Sequence, residues 1–332
     1  MFGGSTVRQF GSSGIRRHGG SGTVEPPNRR TAEQFSLETQ AAMEAARAAG
    51  RILLRQLGRA RGIRFKSAKD PVTAADVAAE RCIRRLLQRR FPRIGFLGEE
   101  GGAAEGPDGR WIVDPLDGTI GFVAGLPFFS VLIAMERQGV LESSVTYLPR
   151  LDEMFVAERG RGAFCNGRRI HVSPTTRLRD CMIALWHDDS VWGNRALRER
   201  IAALALQVRN VRIFGAGYAL ASVAAGRLDA YWEQSAYPWD IAAGALLVQE
   251  AGGRVTDGAG RPLDLNHAKN VRQFDSSRVR RSGNGRTAEP SNYRTALLTI
   301  LASNGRIHRR LVTALAAPPG RITRSSCRHV LP

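Results

Sequence analysis

Two apolar runs joined by three turn residues constrain this chain most. Residues 128–136 and 140–147 are of strand length and flank Arg137-Gln138-Gly139, as the arms of a β-hairpin do. A second hairpin fits residues 153–158 and the segment around Phe164-Cys165-Asn166-Gly167. Helical periodicity precedes these arms. Ala42, Ala46, Ala49, Leu53 and Leu57 recur at three and four, Met43 and Ile52 widen that face, and Gly58 is a stop. A second helix runs from about 74 to 90, with Ile83, Leu86 and Leu87 apolar, and ends at Phe91-Pro92. Short strand patterns follow at Gly95-Phe96-Leu97 and Trp111-Ile112-Val113. The later half reads as strand over 211–214, helix over 218–225, strand over 228–232 and helix over 241–251. Gly252-Gly253 caps that helix before a strand at 254–256; a run at 295–302 and a helix near 307–316 complete the pattern. Helices mixed with antiparallel hairpins predict a layered α/β or α+β fold rather than a simple doubly wound sheet. No solenoid-period repeat is visible.

Three segments lack such patterning. Residues 1–30 are rich in Gly, Ser and Arg with Glu25 as their one acid, and are expected to be disordered. Residues 270–293 read as a basic insertion, and 318–332 as a loose tail after Pro318-Pro319-Gly320. The expected organisation is therefore one domain over 31–317 with flexible ends. This division also locates the charge. The net charge is +19, but residues 1–30 hold +4 and 268–332 hold +11, which leaves +4 for the patterned body. Taken whole, that charge points to nucleic acid; taken by segment, it belongs mostly to the ends. No apolar run approaches the roughly 18–20 residues of a membrane span, the richest being 128–135. Cys82, Cys165, Cys181 and Cys327 are scattered, with no finger-like Cys/His spacing, and read as reduced thiols of a cytoplasmic protein. The Arg-rich, acid-poor start also matches an organellar transit peptide, although an extension without function is the plainer reading.

The chemically informative charges are negative. In Trp111-Ile112-Val113-Asp114-Pro115-Leu116-Asp117-Gly118-Thr119 an apolar strand ends in an acid, turns at proline and offers a second acid three residues on. A helix beginning at Thr119 fits, with Asp117 or Gly118 near its cap. Two carboxylates with the Leu116 carbonyl between them make a compact oxygen set of the kind hard divalent cations prefer. The amides of Gly118 and Thr119 at a helix start suit a phosphate. A surface turn is the plain alternative for Asp, Pro and Gly. Gly98-Glu99-Glu100-Gly101 places two more acids at a strand end, where they need solvent or cations. Asp240 and Asp76 each stand near a helix start, and each reads equally well as a cap. Their conjunction, rather than any one of them, carries the signal.

Taken together these motifs resemble the inositol monophosphatase family of Mg²⁺-dependent, lithium-sensitive phosphatases. The resemblance rests on Gly98-Glu-Glu, on Trp111 to Thr119 and on Trp239-Asp-Ile-Ala-Ala-Gly244. Asp70-Pro-Val-Thr-Ala-Ala-Asp76, Gly160-Arg-Gly-Ala-Phe-Cys-Asn-Gly167, Val223-Ala-Ala-Gly-Arg-Leu-Asp229, Glu250-Ala-Gly-Gly253 and Ala302-Ser-Asn-Gly305 support it. It implies a layered α-β-α-β-α sandwich, usually dimeric. It implies Glu99, Asp114, the Leu116 carbonyl, Asp117 and Asp240 as Mg²⁺ ligands. Thr119 with Asp76 resembles the pair that polarises the attacking water, with Glu99 also orienting it. Asp117 and the Gly118 and Thr119 amides lie where the family meets the phosphate. Glu233 matches a position that contacts substrate hydroxyls in some members. Two positions depart: Gly121 replaces a frequent Asn, and Gly215-Ala216-Gly217-Tyr218 replaces a Gly-Ser-Ala-Ala type segment that shapes the substrate pocket.

The expected function is phosphomonoester hydrolysis by in-line attack of water, on inositol monophosphate or a similar small polyol phosphate. Histidinol phosphate, fructose 1,6-bisphosphate and a 3′-phosphoadenosine nucleotide are alternative substrates for the same chemistry. Nucleic-acid binding through the basic ends is an alternative of another class, less favoured than a solvated segment. The chain has no G-x-x-x-x-G-K-[ST], H-E-x-x-H or G-x-S-x-G motif. His171, His187, His267 and His308 show no spacing that demands a metal, and Trp186, Trp192, Trp232 and Trp239 read as packing residues.

Overall fold

A computed structural model describes residues 34–59, 63–67, 70–186, 193–265 and 298–316. The expectations for residues 1–30, 270–293 and 318–332, and those for Trp192, His187, His267 and Cys327, lie outside these residues.

The outermost layer is a helix pair, α1 (Leu37–Gln56) and α2 (Ala74–Arg90). Ser36 caps α1, its hydroxyl accepting from the Thr39 amide at 3.2 Å, and Gly58 at φ +68° follows its end. Before α2 a short antiparallel pair forms, β1 (Arg64–Ser67) with β2 (Asp70–Val72). The second layer has eight strands. They are β3 (Gly95–Gly98), β4 (Gly102–Ala104), β5 (Arg110–Asp117), β6 (Ser130–Arg137), β7 (Val140–Leu148), β8 (Glu153–Glu158), β9 (Gly162–Cys165) and β10 (Arg168–Ile170). Their order is β10-β9-β8-β7-β6-β5-β3-β4, antiparallel except for β3 beside β5. The mid-chain hairpin is β6–β7, and both Gln138 (φ 51°) and Gly139 (φ 82°) take the left-handed backbone that a tight hairpin turn demands. A five-residue helix, α3 (Thr119–Val123), links β5 towards β6.

The remaining layers come from the later half. β11 (Met182–Trp186), β12 (Asn210–Ile213), β13 (Ala230–Ala236), β14 (Arg254–Thr256) and β15 (Leu298–Ser303) form a sheet in the order β12-β11-β13-β15-β14. Between the two sheets run α5 (Ala216–Ala224) and α6 (Pro238–Glu250); outside the second sheet lie α4 (Arg195–Ala205) and α7 (His308–Ala316).

Strand alternation shows how the layers stack. Trp111, Val113, Val131, Ile133 and Met135 join Ala45, Ala49, Leu53, Ala79 and Ile83 of the outer helices. Their neighbours Ile112, Leu132 and Ala134 point the other way, to Ala219, Leu220, Ala242 and Leu246 of the middle helices and on to Tyr231, Ile300 and Ala302. Ile183, Leu185, Trp232 and Leu301 then face Leu197, Leu204, Leu311 and Leu315. The sequence α-β-α-β-α is the expected layered sandwich. The middle helices are narrow because they are built from Ala and Gly. At Gly244, an added Cβ would stand 2.5 Å from Leu220 Cβ.

Candidate active site

The site is built at the end of β5. Asp114 pairs in register with Leu132, but Asp117 pairs with Ser130, so β5 carries one extra residue between them. In a regular strand, residues three apart face opposite sides; the bulge restores them to one side. Leu116 accordingly sits in the outer core while Asp117 reaches α5. The sequence expectation of a turn at Pro115 is corrected here: the strand continues to Asp117, and proline occupies the bulge, where no ladder amide is needed. The helix expected at Thr119 does start there, behind Gly118 at φ +85°.

Each acid is fastened to backbone or hydroxyl groups. The Leu116 amide donates to Asp114 Oδ1 at 2.8 Å. Ser130 Oγ donates to Asp117 Oδ2 at 2.7 Å, and the Gly217 amide, in the first turn of α5, donates to it at 3.1 Å. Gly217 must be small, since an added Cβ would lie 2.8 Å from Asp117 Oδ2. Asp240 Oδ2 accepts from the Tyr237 amide at 2.7 Å, so Asp240 closes the start of α6 from inside its first turn rather than capping it. Glu99 follows β3, its amide donating to the Val113 carbonyl at 3.3 Å. Glu233, on β13, is buried and accepts from Tyr231 Oη at 2.7 Å.

Thr119 and Asp76 meet as expected. Thr119 Oγ lies 3.2 Å from Asp76 Oδ1 and 3.0 Å from the Leu116 carbonyl, so its one proton is shared between two acceptors. Asp76 also closes the start of α2 from inside its first turn, as Asp240 does for α6: its Oδ2 accepts from the Thr73 amide at 2.9 Å and from the Thr73 hydroxyl. One carboxylate thus serves the helix start with one oxygen and meets Thr119 with the other.

Electrostatics joins these groups into one cluster. Burial, then Glu99, Asp117 and Asp240, push the Asp114 carboxyl well above the usual range. Burial, then Glu233 and Glu99, do the same to Asp240. Burial lifts Asp117 to about 6 against the pull of its Ser130 and Gly217 bonds, and lifts Asp76 to about 6. The charges acting most strongly on Asp114 and Asp240 are other carboxylates, which is unfavourable unless cations offset it. Among the described residues, no three His, Cys, Asp or Glu side chains form a ready-made ion cage. The donor chemistry, four carboxylates and a carbonyl oxygen, nonetheless fits a hard divalent cation.

Sequence reasoning missed Ser130, Tyr231 and Glu80, and gave Gly217 only as part of a segment that shapes the substrate pocket. Glu80 left a local trace, four residues after Asp76 and hence on the same helix face. His308 is buried between Thr256 and Ser303, 2.9 Å from each hydroxyl, and is a core residue. Trp232 and Trp239 are core residues.

The sequence profile of the inositol monophosphatase family matches residues 36–279. The chain belongs to the inositol monophosphatase family. It is 43% identical over 230 residues, 67% of this chain and 86% of the relative, to an inositol-1-monophosphatase of Rhizobium meliloti. It is 39% identical over 217 residues, 65% of this chain and 82% of the relative, to a fructose-1,6-bisphosphatase/inositol-1-monophosphatase of Thermotoga maritima. The crystal structure of the extragenic suppressor protein suhB from Bartonella henselae superposes with a TM-score of 0.72 at 38% identity, covering 85% of this chain and 99% of that one. As a member of this family the protein is a metal-dependent phosphoric monoester hydrolase acting on small phosphorylated substrates.

Proposed function

We propose that the protein hydrolyses inositol monophosphate, or a similar small polyol phosphate, with Mg²⁺ held by Glu99, Asp114, the Leu116 carbonyl, Asp117 and Asp240. The observation that carries this reading is the mutual repulsion of the buried acids beside a hydroxyl–carboxylate pair. When bound, the ions neutralise phosphoryl oxygens, acidify water and stabilise the leaving alkoxide. The chain's residues do the rest. As the attacking water gives a proton to Thr119 Oγ, Thr119 passes its own to Asp76, and the departing alkoxide takes a proton from solvent. Glu99 orients that water from the other side. The Gly118 and Thr119 amides meet the phosphate, and Glu233, steadied by Tyr231, reads a substrate hydroxyl. Residues 31–317 act as one catalytic domain. Exposed Ile120, Leu126, Phe128 and Ile213 lie on or near the segments framing the site and suit a second copy of the chain, making a homodimer. Free Cys82, Cys165 and Cys181 suit the cytoplasm.

Purified protein should release phosphate from inositol 1-phosphate only when Mg²⁺ is supplied. Asp117→Asn should abolish turnover with no drop in melting temperature, because it removes a repelled charge. Undiminished turnover in that variant refutes the assignment. The bifunctional Thermotoga relative favours fructose 1,6-bisphosphate as a second substrate. Ranking it by kcat/KM with histidinol phosphate and a 3′-phosphoadenosine nucleotide separates the alternatives.

A further inference from the structure

One inward-facing carboxylate near the site has no part in the chemistry so far. Glu80 stands one turn after Asp76 on α2 and is 3% exposed. Its Oε2 accepts from the Glu100 amide at 2.7 Å, inside the Gly98-Glu99-Glu100-Gly101 turn. Both glycines of that turn rest against the same carboxylate. A Cβ on Gly98 would stand 2.5 Å from Glu80 Oε2, and one on Gly101 would collide with Oε1. Arg84, a further turn along α2, stands 3.5 Å from Glu80 Oε1, donates to the Gly102 carbonyl at 2.9 Å and lies 4.1 Å over the Phe96 ring. Asp76, Glu80 and Arg84 thus form a row at spacing four along one helix face. The first meets Thr119, the second the Glu99–Glu100 turn, and the third that turn's exit.

Burying a carboxylate is costly, and the Glu100 amide and Arg84 offset part of that cost. A charged acceptor does give a shorter, more directional bond. The Glu99 amide is meanwhile held by Val113 from the neighbouring strand. The backbone on both sides of the Glu99 side chain is therefore pinned, to β5 on one side and to α2 on the other.

We propose that Glu80 is a positioning residue: through the Glu100 amide it fixes the turn that presents Glu99 to the cation site. The proposal rests on the reading of Glu99 as a Mg²⁺ ligand. α2 then sets the spacing between the water-polarising pair and the metal-binding turn, because one rigid helix holds both. Without Glu80, an arriving cation must order the turn itself, and that cost falls on metal affinity rather than on substrate recognition.

The test uses full-length protein with Glu80→Gln and Glu80→Ala, both checked by thermal melting. Glu80→Gln keeps shape and one acceptor; Glu80→Ala removes the acceptor. Mn²⁺ binding is measured by electron paramagnetic resonance without substrate, and phosphate release is titrated with Mg²⁺. Glu80→Ala should weaken Mn²⁺ binding and raise the Mg²⁺ midpoint by about 10–100-fold, the range seen when a ligand's supporting partner is lost. Glu80→Gln should show a smaller rise. Saturating Mg²⁺ should restore kcat in both, with KM for inositol 1-phosphate unchanged. Unaltered Mn²⁺ affinity in both variants, or a kcat loss that Mg²⁺ does not restore, overturns the proposal. If the wild type releases no phosphate at any Mg²⁺ concentration, the phosphatase reading falls, and the Mn²⁺ measurement still decides the role of Glu80.

Discussion

Asp76 accepts from Thr73 on one oxygen and from Thr119 on the other, and burial lifts its carboxyl to about 6. Only the ionised form draws the Thr119 proton. A bound cation favours that ionised form, so the acid limb of kcat/KM should lie below the metal-free value of about 6. At saturating Mg²⁺, Asp76→Asn should lower kcat/KM by roughly 10²–10⁴-fold, the usual worth of a positioned base. Undiminished kcat/KM in the variant would remove Asp76 from the reaction. Residues such as Asp76, Asp114 and Asp240 could be picked out in the sequence because each has a local mark: a strand end, a proline or a helix start. Ser130, Gly217 and Tyr231 have no such mark. Their meaning depends on partners 13 or 100 residues away for the first two. For Tyr231 it depends on a carboxylate that becomes informative only once the sheet is formed.

At the scale of elements, α5 and α6 matter most, since they fill the gap between the sheets and also deliver the Gly217 amide and Asp240. Their small residues set how closely the layers approach. Gly244→Ala gains about 1 kcal/mol in helix propensity. It loses about 1–3 kcal/mol to overpacking, and with Leu220 Cβ only 2.5 Å from the new atom the loss should win. A lower urea midpoint at unchanged slope would show it; a higher midpoint would mean that the helices can part freely. Helices α1, α2 and α6 and the β6–β7 hairpin were legible because their apolar periods are long or their turns distinctive. β1, β2, β4, β10, β11 and α4 carry no such signal. β11 is a short apolar run with parallel partners on both sides, so it has no alternation to read. α4 buries only Leu197 and Leu204, too few contacts with the core to mark a face. The bulge in β5 reads as a turn in the sequence because proline favours both, and only pairing with β6 separates them.

For the whole molecule, the acid cluster is a liability that cations remove. Asp117 has a folded-state value of about 6 against 3.8 unfolded, so between those values the native state holds the proton more tightly. That contribution is fully present below pH 3.8 and is lost as pH rises through about 6. A carboxyl moved that far is worth on the order of 3 kcal/mol, and Asp76, Asp114 and Asp240 shift in the same direction. Metal-free protein should therefore melt at a higher temperature near pH 5 than near pH 8, and Mg²⁺ should raise the pH 8 value far more than the pH 5 value. Differential scanning calorimetry with chelator and with Mg²⁺ checks both signs; a metal-free melting temperature that rises with pH would contradict the clustering. The basic ends dominate the net charge, while the chemistry lies among a few acids in a nearly neutral body.

Those acids do not share a layer. Asp114 and Asp117 belong to the eight-stranded sheet, Glu99 to the turn after its strand β3, Asp240 to a middle helix and Glu233 to the five-stranded sheet. The proposed ion site is thus a seam between slabs, and its aperture is the distance between them. That distance is gauged by alanines and glycines of the two helices between them. Affinity for the metal then becomes a property of interlayer thickness, adjustable by a single methyl group at Gly244, one turn along α6 from Asp240.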